Sequence, residues 1–126
     1  MMRAKWFKIC LIIGILAMFS WTSVQAASEV FVHFVVVPSK AKDGRDIDKA
    51  LDDLRLFFGK LAGGYTCLGS TDGGYLPPGG SLEKNANYSF IVAAPKDLTK
   101  DIEAYISRYF ETDKPYILLW KAFTNY

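Results

Sequence analysis

Two runs of the chain constrain its fold more than anything else in it: Glu29–Pro38 (EVFVHFVVVP) and Tyr88–Pro95 (YSFIVAAP). Both are rich in β-branched and aromatic residues, which suit a pleated strand. Both end at a proline, which cannot donate to a ladder. In the first run Val30, Val32, Phe34 and Val36 share one face, and Phe31, His33, Val35 and Val37 share the other. In the second, Tyr88, Phe90, Val92 and Ala94 alternate with Ser89, Ile91 and Ala93. Strands apolar on both faces belong in the middle of a sheet.

Each run is followed by a helical pattern. Ile47, Leu51, Leu54, Phe58 and Leu61 recur at steps of four and three, with Asp46 as N-cap and Gly59, Gly63 and Gly64 as helix-ending signals. Leu98, Ile102, Tyr105, Ile106 and Tyr109 make a second stripe, capped by Asp97 or Thr99. Tyr65–Ser70 reads as a short strand and Tyr116–Phe123 as the last one. The order is β-α-β-β-α-β, an α+β split βαβ arrangement of the ferredoxin-like kind. Its usual strand order, 4-1-3-2, puts the two most apolar strands at the centre and both helices on one face. The other face is then bare, and a homodimer stacked through it is expected.

The N-terminus adds a destination. Arg3, Lys5 and Lys8 precede an apolar run, Ile9–Phe19, and Val24-Gln25-Ala26 has the small residues of a cleavage site. Residues 1–26 are read as a signal peptide and 27–126 as a single α+β domain. The apolar run is short for a retained span. Without the three leader cations the 15 basic residues fall to 12, against 13 acids, a net charge of −1. The remaining signs alternate, which gives no footprint for nucleic acid. Cys10 leaves with the leader, so Cys67 stands alone and no internal disulfide can form. That favours export to a bacterial periplasm or the exterior, with no membrane attachment after cleavage. Cys67 is expected as a small buried apolar residue.

Between the two halves lies Gly63–Asn85, with seven of the ten glycines and two of the five prolines. Asp72-Gly73 and Pro78-Gly79 read as turn dipeptides, so the segment is expected to be a hairpin excursion or a binding loop. Tyr65, Tyr75, Glu83 and Tyr88 sit on or beside it. A carboxylate among phenols can accept hydrogen bonds and fix a polar ligand. His33, the only histidine, is a fifth candidate, as a base in an apolar pocket or as a packed ring. The acids of the first helix, Asp48, Asp52 and Asp53, lack companions at ligand spacing and read as a solvated face. No phosphate loop, metal motif or nucleophile triad is present, so no cofactor or metal is expected.

Several pieces recur together in known sequences: Val37-Pro38, Asp43-Gly44-Arg45-Asp46-Ile47, Gly63-Gly64-Tyr65-Thr66, Gly74-Tyr75 and Glu83. In this the chain resembles small exported α+β domain families of unknown function. The place often held by tryptophan in the hairpin is Tyr75 here, and Pro77-Pro78-Gly79-Gly80 looks inserted. The resemblance implies a fold and no activity. Two functions follow as expectations. One is a non-enzymatic exported binding or interaction module that uses the sheet face or the 72–83 hairpin to contact a protein or small molecule. The alternative is a small enzyme of the dimeric α+β barrel type, with an apolar pocket near His33.

Overall fold

The computed structural model describes residues 27–125. The expected leader, residues 1–26, lies outside the described residues. Four strands and two helices alternate: β1 (Ser28–Pro38), α1 (Ile47–Ala62), β2 (Thr66–Tyr75), β3 (Glu83–Ala94), α2 (Thr99–Tyr109) and β4 (Tyr116–Thr124). The strands form one antiparallel sheet in the order β2-β3-β1-β4. This is the ferredoxin-like arrangement read from the sequence, with β1 and β3 at the centre.

The register of the central pair runs from Phe31↔Ala94 to Pro38↔Asn87, with His33 opposite Val92 and Val35 opposite Phe90. Those four side chains, with Val37 and Ala94, point to the helix side and are buried. Above them lie Leu51, Leu54 and Phe58 of α1, Ile102 and Ile106 of α2, and Leu98 and Phe110 at the ends of α2. Burying each of the larger side chains contributes about 1.5–3 kcal/mol. Phe57 and Tyr105 stack at 4.0 Å between the two helices.

The helix ends follow local chemistry. Asp46 accepts a hydrogen bond from the Lys49 N–H at 2.9 Å, as its N-cap position requires. Gly63 closes α1 at φ +82°, a conformation that costs glycine little. Gly59, by contrast, lies inside the helix. Before α1, Asp43 (φ +59°) and Gly44 (φ +65°) make the expected turn.

The middle segment differs from the sequence reading. The strand foreseen over Tyr65–Ser70 continues to Tyr75, through Gly69, Gly73 and Gly74. Asp72-Gly73 is no turn: Asp72 pairs with Ala86 and Gly73 with Asn85. Pairing with β3 holds Gly73 and Gly74 extended, while Gly69 sits at a register shift with φ +83°. The turn is confined to residues 76–82, around Pro77-Pro78-Gly79-Gly80, where the Gly80 N–H donates to the Pro77 carbonyl at 3.0 Å. Cys67 is exposed, not buried, because β2 is an edge strand.

Strand β1 stops at Pro38, opposite Asn87, while β3 continues outward to Glu83. The last third of the β2–β3 hairpin therefore projects past β1. This projection shapes the concavity beside it.

Candidate functional site

The projecting hairpin and the strand ends beside it enclose a shallow concavity of about 750 Å³. One side is β3 beyond β1, represented by Lys84, Asn85 and Ala86. Val36, Asn87, Tyr75 and Tyr116 also line it, together with Pro38–Lys40, Glu111, Thr112 and Lys114. A smaller hollow of about 380 Å³ lies around Asp72, Leu82 and Lys84. Lys40, Lys84 and Lys114 place three cations on the larger concavity against the single carboxylate of Glu111. Tyr75 and Tyr116 are more than half exposed, so both rings are open to contact. Two aromatic surfaces beside a net positive rim suit a ligand that joins an apolar body to an anionic group.

Tyr75 and Glu83, singled out from sequence at the two ends of the Pro-Pro-Gly-Gly run, are brought together. They are the last cross-strand pair of the hairpin, directly opposite each other. The remaining candidates lie elsewhere. Tyr65 precedes β2 at its far end, about 30 Å away at strand spacing. There it meets Phe90 edge-on at 6.1 Å and Phe58 at 6.3 Å. Tyr88 opposes Val37 and packs on the core.

His33 is fully buried on the helix side of the sheet. Its Nδ1 lies 3.1 Å from the Val92 carbonyl, and its Nε2 accepts from the Leu98 N–H at 2.9 Å. A carbonyl can only accept and an amide N–H can only donate, so this pairing assigns the neutral ring with its proton on Nδ1. Both nitrogens are engaged, and His33 lines neither of the two concavities. Asp97 Oδ1 stands 3.4 Å from Nε2. The adjacent Thr99, through its hydroxyl and then its backbone N–H, holds that carboxyl below the ordinary range. The Thr99 N–H reaches Asp97 Oδ1 at 2.8 Å. The group is thus a corner between β1, β3 and the start of α2.

Lys40, Lys84, Glu111, Lys114 and Tyr116 were not foreseen as site residues. They converge from four separate segments, and only Tyr116, an aromatic following Pro115 at a strand start, carries a local signal. Among the described residues no three His, Cys, Asp or Glu side chains lie close enough to hold a metal ion. No helix among them is long and apolar enough to cross a membrane.

No family model matches the chain, and no curated protein matches it. Solved structures do. The chain is similar to CutA1 from Oryza sativa, at 18% identity and a TM-score of 0.55, over 76% of this chain and 82% of that one. It is also similar to a Bacillus cereus protein related to NIF3, at 14% identity and a TM-score of 0.54, over 77% of this chain but 26% of that one. At such identities the likeness is one of fold, a small α+β, ferredoxin-like one.

Proposed function

We propose that the protein is an exported, non-catalytic binding module whose contact surface is the open sheet face together with the Tyr75–Glu83 end of the hairpin. The concavity beside that hairpin end carries the reading. It combines exposed rings, Tyr75 and Tyr116, with three lysines and an unpaired length of β3. An extended acidic peptide, or a small aromatic carboxylate, has the chemistry to occupy it: the anion meets the lysines, and the apolar part lies on the rings. The open face continues from the concavity through Phe34, Ile91, Leu118 and Trp120, and supports contact with a protein partner, a second copy included. The enzymatic alternative rested on an apolar pocket near His33, and the engagement of both ring nitrogens gives it no support. Export rests on residues 1–26 alone, and the recovered chain is expected to begin at Ala27.

The test is a titration of ¹⁵N-labelled protein with phenylacetate and with a blocked Asp-Phe-Glu peptide. Amide shifts are expected at Tyr75, Lys84–Asn87 and Tyr116. Tyr75→Ala should abolish them and Lys84→Glu should weaken them at least tenfold. Shifts elsewhere, or shifts indifferent to Tyr75→Ala, would overturn the proposal.

A further inference from the structure

The two edges of the sheet differ in their protection. Among the described residues the order β2-β3-β1-β4 leaves β2 and β4 with only one neighbour each. Strand β2 carries the usual guards of an edge. Its register shifts between Cys67 and Gly69, where Gly69 takes φ +83°, and Gly73, Gly74 and Asp72 dilute its side chains. Bulges, glycines and charges are what keep an edge from pairing with another chain. Strand β4, Tyr-Ile-Leu-Leu-Trp-Lys-Ala-Phe-Thr, has no proline, no glycine and one charge.

That charge does not guard the edge. The Lys121 ammonium turns toward β1, 2.9 Å from the Glu29 carboxylate and 5.3 Å above the Phe31 ring. The apolar load is also on both sides of β4. Ile117 packs toward the core and Lys121 reaches Phe31, so Ile117, Leu119, Lys121 and Phe123 face the helix side. By alternation Tyr116, Leu118, Trp120 and Ala122 face the open side. Tyr116, Leu118, Leu119, Trp120 and Phe123 make up five of the eleven large exposed hydrophobic residues among those described. A partner lying on one face would leave the other set in water. A strand added along the edge covers both, since its own side chains alternate.

We infer that β4 pairs with β4 of a second copy of this chain, antiparallel and about a two-fold axis. This goes beyond the binding surface proposed above, because it concerns the edge of the sheet and not its face. A second β4 offers the same unguarded backbone and the same apolar residues on both sides, and an isologous contact closes on itself. Pairing β4 with the partner's β2 would be head-to-tail and would meet the bulged, glycine-diluted edge. The β4–β4 contact makes one continuous eight-stranded sheet.

Light scattering behind size exclusion tests this at tens of micromolar protein. The wild type is expected at twice the chain mass. Leu119→Lys with Phe123→Lys puts charges on the helix side of the edge and is expected to halve that mass with unchanged far-ultraviolet dichroism. Ala93→Lys charges an exposed position on the open face, near the end of the central strand β3, and is expected to leave the dimer intact. Hydrogen exchange of the wild type at two concentrations needs no variant: β4 amides should slow at least tenfold at the higher one, and β2 amides should not. A wild-type monomer, a dimer that survives the double substitution, a monomeric Ala93→Lys or concentration-independent β4 exchange each overturns the inference. Tyr75→Ala should not alter the mass, so this result and the ligand titration fail independently.

Discussion

His33 is the residue whose chemistry the sequence left most open, and its surroundings now define it. The ring joins three elements through two hydrogen bonds at full burial. A buried donor or acceptor left without its partner costs about 1–3 kcal/mol. His33→Leu keeps an apolar side chain of similar bulk but strands the Leu98 N–H at the entrance to α2. The expected result is a loss of about 1–3 kcal/mol in urea denaturation, with the ligand-induced shifts of the concavity unchanged. A loss below about 0.5 kcal/mol would show that the Leu98 N–H finds another acceptor, and that the corner is not held by the ring. The exposed Cys67 teaches the complementary lesson. Its alternation with Leu68 was legible, but its burial depended on β2 being an edge.

At the scale of elements, the strongly periodic segments were readable and the glycine-rich one was not. The stripes of α1 and α2, the caps Asp46 and Gly63, and the central pairing of β1 with β3 follow from side chains that report their own environment. Strand β2 beyond Ser70 follows from something else. Its extended form is held by β3 backbone groups, and Gly73 and Gly74 carry no side chain to announce it. Asp72-Gly73 has a turn signature that pairing with Ala86 and Asn85 overrides. The concavity was out of reach for the same reason, because Lys40, Lys84, Glu111 and Tyr116 meet only once the sheet order is fixed. Tyr75 and Glu83 could be picked out because a single short turn joins them.

Gly69 offers the sharpest test at this scale. It sits at the register shift with φ +83°, and a Cβ there would meet open space. Any cost of substitution is therefore backbone strain, about 1–2 kcal/mol for a non-glycine residue in that region. Gly69→Val should lose about that much in chemical denaturation. The comparison is with Gly73→Ala, where φ is not positive. Its new methyl would approach Asn87 Nδ2 at 2.8 Å, the end of a flexible side chain that can move aside. Equal costs at the two positions would mean that the bulge does not need the left-handed conformation.

Over the whole molecule, support is unevenly distributed. Residues around Val35, Phe90 and Val92 have strands on both sides and helices above. The hairpin past Asn87 has one partner strand, no β1 beside it and mostly exposed side chains. Segments with few buried apolar contacts open locally, without waiting for global unfolding. Native-state hydrogen exchange should therefore separate the two regions. Amides of Asp72–Tyr75 and Glu83–Ala86 should exchange on the order of a hundredfold faster than those of Val35, Phe90 and Val92. Only the slow group should follow the denaturant dependence of global unfolding. Uniform protection would mean that the hairpin end is as firmly held as the core. The distribution also bears on binding, because the proposed ligand lies along the part of the sheet that the fold itself supports least. Bound phenylacetate or acidic peptide should slow exchange at the hairpin end and leave the central strands unaffected, and Tyr75→Ala should remove that protection.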